Sequence, residues 1–253
     1  MAKELCESRV CRTKGLHGKV ILDLLYPRHC PLCDEVLAFD GMQVCDSCLS
    51  VQVYVNPPYC MKCGKTIEDI TEEYCGDCRQ LPKSFERGFP VFAYDGGIKD
   101  ALYAFKYKNQ RSYGDFFADC MYKKYGEEFN SLQLDGVIPV PIHRKKRKIR
   151  GYNQAEMLAR PLAKYLELPV YPAYILRVVN TNPQKELNDK IRMKNLNNAF
   201  KIGENTIKLK KVLLVDDIYT SGATIEACAR VLMDAGVEKV YYTSVAIGKG
   251  YSG

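Results

Sequence analysis

A short apolar run followed directly by two acids is the feature that most constrains the fold of this 253-residue chain. Residues 212–215 read Val-Leu-Leu-Val, Asp216 and Asp217 follow, and a loop with one glycine leads into an amphipathic stretch. A short apolar run bounded by polar residues is typical of a parallel strand that is covered on both faces. The sequence therefore predicts a buried strand over 212–215, a helix over 225–235, and a ligand site in the crevice between them, where open α/β sheets bind their ligands.

The loop before the predicted helix has the composition of a phosphate site. Gly222 lets the backbone approach a ligand closely, and the first N–H groups of a helix favour an anion. Asp216 and Asp217 can accept hydrogen bonds from the vicinal hydroxyls of a ribose, so the combination indicates a phosphorylated sugar, whereas the acid pair alone would fit an ordinary acidic turn equally well. The loop residues that are candidates for ligand contact are Thr220, Ser221, Gly222, Ala223 and Thr224.

Four Cys-x-x-Cys pairs that recur every fifteen residues predict metal binding. Two intervening residues let a tight turn aim both sulfurs at one ion, and eight thiols suffice for two zinc sites of four thiolates each. The paired spacing favours zinc over disulfides. The predicted ligands are Cys30, Cys33, Cys45, Cys48, Cys60, Cys63, Cys75 and Cys78.

Two pairings of these units around zinc are compatible with the sequence. In the sequential pairing the first two units share one ion and the last two share the other, whereas in the interleaved pairing the first unit joins the third and the second joins the fourth. Each eleven-residue interval is long enough for one hairpin, which favours the sequential pairing. With four thiolates per ion no position is open for substrate, so we expect structural zinc, which would contribute about 10–16 kcal/mol to folding of each such segment.

Positive charge is concentrated in one stretch of the chain. The formal net charge is +7, and residues 143–150, after a predicted strand at 137–140, hold His143 and six lysines or arginines without an acid. Such a density attracts pyrophosphate or a nucleic-acid backbone, although a solvated basic loop is an equal alternative. No apolar run reaches the roughly 18 residues of a membrane span, so we expect no membrane insertion.

The order of these motifs resembles that of the ComF/GntX family of competence-related proteins. The resemblance implies an α/β chain with a type I phosphoribosyltransferase-like fold, a mostly parallel sheet flanked by helices, and a small N-terminal Cys-rich zinc-binding domain. It further implies a location in the bacterial cytoplasm, and single-stranded DNA and a helicase-like competence protein as the partners to expect. The motifs, besides the cysteines and residues 212–224, are Phe-Lys-Tyr-Lys at 105–108, Pro-Val-Pro at 139–141, Arg-Gly-Tyr-Asn-Gln at 150–154, Asn-Pro-Gln at 182–184, Arg192, Asn195 and Ala-Phe at 199–200.

The resemblance also implies a domain division and roles for particular residues. We expect an extension over 1–26, a zinc finger over 27–80 and the transferase-like domain over 88–253. Phosphoribosyl pyrophosphate would bind with Mg²⁺ through the 216–224 motif, and residues 181–192 would form a mobile arm. The candidate catalytic cations are Arg144, Arg150, Lys190 and Arg192, while Lys106 and Lys108 are placed near the site entrance rather than on the ligand.

Two classes of function remain open from the sequence. One is a phosphoribosyltransferase whose acceptor is unknown, because Thr220 stands where several purine-type transferases carry an aspartate. The other is a non-catalytic accessory protein that binds single-stranded DNA through the zinc finger and the basic loop. Hydrophobic patterning further predicts strands at 89–94 and 240–246 and helices at 98–105, 113–125 and 154–166.

Overall fold

A computed structural model describes residues 27–37, 43–49, 54–179, 198–204 and 207–248. These described residues form seven helices and six strands. In chain order they are α1 (Asp46–Leu49), α2 (Gly76–Gln80), β1 (Arg87–Ala93), α3 (Gly96–Tyr107), α4 (Tyr113–Ser131), β2 (Gly136–Pro139), α5 (Arg144–Arg150), α6 (Gln154–Tyr165), β3 (Ile175–Arg177), β4 (Phe200–Ile202), β5 (Lys211–Tyr219), α7 (Ala223–Asp234) and β6 (Lys239–Ile247).

The centre of the molecule is a four-stranded, fully parallel sheet in the order β1-β6-β5-β2. Because side chains alternate along a strand, β5 supplies both faces of the core. Leu213 and Val215 join one buried cluster with residues of α3, α4 and α6, while Val212 and Leu214 join a second cluster with residues of α7. The predicted fold class, a mostly parallel sheet with helices on both faces, is therefore confirmed.

The boundaries of β5 differ from the sequence-based expectation. The strand does not end at Val215 but continues to Tyr219, paired with β6 throughout. The two acids therefore lie inside the last part of a strand, with their side chains directed to opposite faces of the sheet.

The basic stretch is a helix rather than the expected loop. α5 is capped by His143, whose ring accepts a hydrogen bond from the Lys145 N–H, and it ends at Gly151 with a φ of 80°. Lysine and arginine are good helix formers, and cations in the last turn complement the negative end of the helix dipole. The charge density that suggested a solvated loop is thus compatible with seven helical residues between a cap and a glycine.

The cysteine-rich segment contains two copies of one small unit. In each copy a bridge of antiparallel backbone, at His29 and Val36 or at Tyr59 and Thr66, encloses the first cysteine pair. The second pair of each copy begins just before a short helix, α1 or α2. We call the two units ribbon 1 (27–49) and ribbon 2 (54–80).

The two ribbons pack on different parts of the molecule. Cys30, Leu37 and Val44 of ribbon 1 belong to the cluster of α3, α4 and α6. Cys60, Cys63, Cys75 and neighbouring apolar residues of ribbon 2 belong to the cluster of α7. Ribbon 2 therefore shares its core with the helix that follows the acid pair.

A two-stranded antiparallel sheet, β3 with β4, lies outside the central sheet. The segment expected to form a mobile arm, 181–192 with Lys190 and Arg192, falls outside the described residues. Within the described part of the chain, none of the helices has both the length and the apolar content needed to cross a bilayer.

Candidate functional site

The eight predicted metal ligands form two clusters. Cys30, Cys33, Cys45 and Cys48 bring their Sγ atoms within 4.8 Å of one another, and so do Cys60, Cys63, Cys75 and Cys78. The sequential pairing is therefore confirmed and the interleaved one is excluded. The Sγ atoms of Cys33 and Cys45 are 3.5 Å apart, and those of Cys63 and Cys75 are 3.6 Å apart. These separations fit a tetrahedral zinc ion with Zn–S bonds of about 2.3 Å, so each cluster can hold one structural zinc.

Each knuckle turn requires a left-handed residue after its second cysteine. Asp34 has a φ of 65° in ribbon 1, and Gly64 has a φ of 72° in ribbon 2. A Cβ at position 64 would collide with the Pro90 ring and the Gly88 carbonyl oxygen. Gly64 therefore serves both the turn and the close approach of ribbon 2 to β1.

Asp216 and Asp217 are held in different ways at the carboxyl end of β5. The Asp217 carboxylate lies 2.9 Å from the Lys106 ammonium of α3, and both side chains are largely buried. The Asp216 carboxylate accepts a hydrogen bond of 2.8 Å from the Asp217 backbone N–H. Lys106, which the sequence placed at the entrance, thus touches the acid pair directly.

The charges at this position shift one another's protonation. Burial raises the pKa of Asp216 to about 7, and the negative charge of Asp217 adds to that rise. Burial acts to lower the pKa of Lys106, but the carboxylates of Asp217 and Asp216 outweigh it, so this pKa is raised. Lys106 therefore remains an ammonium, while Asp216 changes its charge close to neutral pH.

The loop after β5 turns sharply into α7 at Gly222. This residue has a φ of 77°, and a Cβ there would collide with the hydroxyl of Tyr219. Gly222 and Ala223 are buried, Ser221 and Thr224 are half-buried, and Thr220 is exposed. Among the described residues, no side chain caps the N-terminus of α7, so its first N–H groups are available to an anion.

A buried acid in the first turn of α7 accepts its hydrogen bonds from residues outside the predicted ligand loop. Glu226 is 2% exposed and accepts hydrogen bonds of 2.8 Å from both the N–H and the hydroxyl of Ser84. Arg230 donates to the same carboxylate at 2.7 Å. Ser84, in the connection between ribbon 2 and β1, thereby ties that connection to the predicted phosphate helix.

The predicted catalytic arginines lie on α5. Arg144 is exposed at the start of the helix. Arg150, at its end, donates to the Gln154 side chain at 2.7 Å and lies 5.0 Å from the centre of the Tyr107 ring. The described contacts of Arg150 are thus with Tyr107 and Gln154 rather than with the acid pair.

Three cations near the acids were not among the catalytic candidates of the sequence analysis. Burial lowers the pKa of Arg177 on β3, and the charge of Asp216 acts in the opposite direction. Burial also lowers the pKa of Lys146, as do the positive charges of Arg177, Arg150 and Lys106. Lys106, Lys146 and Arg177, from three separate elements, are therefore within electrostatic range of one another or of the acid pair. The sequence holds no local signal for this, since Lys146 is one cation among many in its run and Arg177 is 39 residues from Asp216.

Two protein families match separate parts of the chain. A family described as "Double zinc ribbon domain" matches residues 21–79, and one described as "Phosphoribosyl transferase domain" matches residues 153–249. The first range includes both cysteine clusters, and the second includes the acid pair, the loop and α7. The type I phosphoribosyltransferase-like fold with an N-terminal zinc-binding region is therefore established.

Curated relatives are similar to this chain over most of their length. Competence protein F of Haemophilus influenzae (strain Rd) is 30% identical over 194 residues, which cover 75% of this chain and 84% of the relative. The DNA utilization protein YhgH of Escherichia coli (strain K12) is 26% identical over 222 residues, 86% of this chain and 96% of the relative. Competence protein ComFC of Bacillus subtilis (strain 168) is 24% identical over 229 residues, 82% of this chain and 89% of the relative.

Proposed function

Because this chain belongs to the ComF family of competence proteins, we propose that its transferase domain binds phosphoribosyl pyrophosphate with Mg²⁺ at the end of β5. The observation that carries the proposal is the arrangement of Asp216, Asp217 and Gly222. Two carboxylates lie in the last part of a central parallel strand, and a left-handed glycine then precedes a 12-residue helix with an uncapped N-terminus. This is where open α/β sheets bind phosphorylated ligands.

Each part of the ligand has a matching group. The 5-phosphate would be held by the N–H groups of residues 222–225 and by the hydroxyls of Thr220, Ser221 and Thr224. The ribose hydroxyls would donate to Asp216 and Asp217, whose ionised form is the better acceptor. Lys106 forms an ion pair with Asp217 at 2.9 Å and so holds this side chain in position before ligand binds.

The pyrophosphate would face the cations that surround the acids. Lys106 pairs with Asp217, the charge of Asp216 acts on Arg177, and the charges of Arg177, Arg150 and Lys106 act on Lys146. Burial strengthens the interaction of these groups with a polyanion, because charges in a poorly solvated site attract each other more strongly. Arg144 on α5, and Lys190 and Arg192 outside the described residues, are proposed as further cations for the same group.

We assign the chemistry as displacement at the anomeric carbon of the ribose. An acceptor lone pair would form the new bond to that carbon as its bond to the pyrophosphate oxygen breaks, and the pyrophosphate would leave with the electron pair. Mg²⁺ would neutralise pyrophosphate oxygens. The residues of the chain bind and orient the sugar, and the buried cations stabilise the leaving group.

Calorimetry with phosphoribosyl pyrophosphate and MgCl₂ tests the proposal. We expect binding by the native chain, and a loss of affinity of at least about tenfold when Asp216→Asn and Asp217→Asn are combined, because removal of hydrogen bonds to charged groups costs about 1.5–3 kcal/mol each. Asp234→Asn is the matched control, since this exposed acid lies at the other end of α7. Absence of heat with the native chain, or equal affinities of all three proteins, would refute the proposed site.

A second candidate function, single-stranded DNA binding, is favoured by the surface of α5. Four of its cations, Arg144, Lys145, Arg147 and Lys148, are exposed, and only Arg147 among them has a described acidic partner, Glu156. An exposed row of cations suits a phosphate backbone. The names of the relatives, competence protein and DNA utilization protein, point in the same direction.

The salt dependence of oligonucleotide binding tests this second function. Neutralising the four exposed cations with glutamine should weaken binding to an oligothymidylate and reduce the slope of log affinity against log salt by roughly 0.7 per lost phosphate contact. Lys210→Gln with Lys239→Gln, at the opposite end of the sheet, is the control. Binding that does not depend on salt, or that both sets of variants weaken equally, would argue against α5 as the contact.

A further inference from the structure

Two neighbouring tyrosines on α3 are exposed to solvent, and the packing of the fold gives no reason for their exposure. Tyr103 is 56% exposed and Tyr107 is 62% exposed, although Ile98, Leu102 and Phe105 on the other side of the same helix are buried. The two rings are one helical turn apart, and their centres are separated by 5.0 Å at an angle of 45°. The helix therefore presents a pair of adjoining aromatic rings to solvent.

Cations surround this aromatic pair. The guanidinium carbon of Arg150 lies 5.0 Å from the centre of the Tyr107 ring. Lys108 and Arg111 are exposed just beyond the end of α3, and the exposed cations of α5 precede Arg150. Aromatic rings beside a positively charged surface are the usual means by which proteins bind single-stranded nucleic acid without sequence preference, because bases stack on the rings while cations contact the phosphates.

We propose that Tyr103 and Tyr107, with Arg150, form a base-stacking platform for single-stranded nucleic acid. This inference rests on the second function proposed above and adds what α5 alone does not supply, a contact to the bases. The positive charge around the tyrosine pair indicates which kind of partner binds there. An apolar protein surface would leave the cations of α5 and the end of α3 without partners, and an acidic one would offer the rings nothing to stack on, whereas a strand of nucleic acid matches both the rings and the charges.

The platform lies next to the proposed sugar-phosphate site. Lys106, between the two tyrosines in sequence, pairs with Asp217, and Arg150 is close enough to Lys146 to lower its pKa together with burial and Arg177. The same turn of α3 therefore contacts the acid pair on one side and presents the rings on the other. A bound strand would hold its bases beside the ribose site.

The experiment compares two oligonucleotides of equal charge. Twelve-residue oligothymidylate and a twelve-residue strand with abasic sites throughout differ in bases only. We expect the native chain to bind the oligothymidylate at least about fivefold more tightly, since stacking on one aromatic residue changes affinity by roughly 5- to 150-fold. Tyr103→Ala with Tyr107→Ala should remove this difference, whereas Tyr103→Phe with Tyr107→Phe should retain it.

A tryptophan at the platform gives a direct readout. The chain contains no tryptophan, so Tyr107→Trp introduces a single indole whose fluorescence a stacked base should quench. Oligothymidylate should quench it and the abasic strand should not. Tyr165→Ala is the control for loss of a partly exposed ring, since Tyr165 stacks on Tyr122 away from α5.

The outcomes separate this inference from the function on which it rests. If the oligothymidylate does not bind at all, both fail. If it binds with the expected salt dependence but no more tightly than the abasic strand, or if the alanine variants keep the preference for bases, DNA binding stands and the platform is refuted. Circular dichroism of the alanine variants confirms that they are folded, which we expect because both rings are exposed.

Discussion

Asp216 and Asp217 are adjacent in the sequence, but their surroundings differ because alternate side chains of β5 face opposite sides of the sheet. Asp217 faces α3 and is paired with Lys106. Asp216 lies near Arg177 and the buried Cys228, and its pKa is raised to about 7. Asp217 is thus held in an ion pair, whereas Asp216 gains or loses a proton near neutral pH.

The raised pKa of Asp216 predicts a pH dependence of stability. The folded chain binds this proton more tightly than the unfolded chain, whose aspartate titrates near pH 4, so the contribution is fully present at low pH and is lost as the pH rises through 7. From pH 5.5 to 7.5 the free energy of unfolding should fall by on the order of 2 kcal/mol more in the native chain than in Asp216→Asn. Urea unfolding at the two pH values measures this difference. Asp234→Asn should follow the native chain, and equal pH dependence of all three would contradict the prediction.

A side chain at position 222 should lower both the stability of the chain and its affinity for the ligand. Gly222→Ala places a Cβ in a left-handed backbone against the Tyr219 hydroxyl, so it should destabilise the chain by more than the roughly 1–2 kcal/mol of the backbone alone and should abolish binding of phosphoribosyl pyrophosphate. Gly236→Ala is the matched control, because Gly236 has a φ of 94° at the other end of α7 but open space around it. The control should lose about 1 kcal/mol and retain ligand affinity, as measured by thermal unfolding and calorimetry. Similar behaviour of both variants would show that the Tyr219 contact is unimportant.

Among the elements, those with a strong local pattern were predictable. The apolar run of β5, the helices α3, α4, α6 and α7 and the spacing of the cysteines each follow from a few consecutive residues, and the structure confirms them with shifted ends. Pairing with β6 extends β5 beyond its apolar run, α3 and α4 run past their predicted ends, and α6 and α7 end one residue before theirs.

Contacts between distant elements were not predictable. Lys106 of α3 forms an ion pair with Asp217 of β5, and the charge of Asp216 acts on Arg177 of the separate β3–β4 sheet. Neither of these interactions between distant residues produces a periodic pattern in a single sequence. The basic run was misjudged for a different reason, because charge says little about backbone conformation while the cap at His143 and the stop at Gly151 decide it.

The two ribbons should differ in their effect on the ligand site. Ribbon 2 reaches it through ring contacts: the Tyr242 hydroxyl donates to the Cys63 carbonyl oxygen at 2.8 Å, and the Tyr242 ring stacks on Tyr219 with centres 4.8 Å apart. Tyr219 in turn touches the position of Gly222. Among the described residues, ribbon 1 has no comparable contact with β5 or α7, since its core joins the opposite cluster.

Cys78→Ser should therefore weaken binding of phosphoribosyl pyrophosphate more than Cys48→Ser does. Both cysteines are half-buried fourth ligands of their clusters, so the variants are matched. We expect a loss of roughly 5- to 100-fold for Cys78→Ser, the usual range of coupling between two sites, and less than about twofold for Cys48→Ser. Zinc content and calorimetry on the same samples measure the effect. Equal losses, or a greater loss for Cys48→Ser, would show that the ring contacts do not transmit it.

At the scale of the whole molecule, Lys124 joins ribbon 2 to the sheet. Its ammonium, on α4, donates to the backbone oxygens of Val55 at 2.6 Å and Val91 at 3.0 Å. Three tyrosine rings, those of Tyr54, Tyr59 and Tyr125, have their centres within 6 Å of it. Burial lowers the pKa of Lys124 to about 8, so this side chain is a cation at neutral pH and is held by carbonyl oxygens and rings.

Lys124→Met should loosen the attachment of ribbon 2. Removing the ammonium takes the charged donor from both carbonyl oxygens and leaves them only the Val55 N–H and the Tyr59 hydroxyl, which should lower the free energy of unfolding by about 1–3 kcal/mol and speed hydrogen exchange in residues 54–60. Lys123→Met is the control, because Lys123 is an exposed neighbour that pairs with Asp119 on the same helix. Unchanged exchange in Lys124→Met would show that the ribbon is held by its apolar contacts alone.

The close fit of ribbon 2 also affects how the protein can be divided. A fragment that begins after residue 80 would keep Tyr242 and the Gly88 N–H but lose their acceptors, the carbonyl oxygens of Cys63 and Lys62. It would also expose the apolar surface that Val55 and Ile67 cover in the intact chain. Such a truncation would expose a contiguous apolar surface, so the shortened protein should self-associate during purification. Chelators that remove zinc from the full chain should unfold ribbon 2 and cause the same loss of solubility.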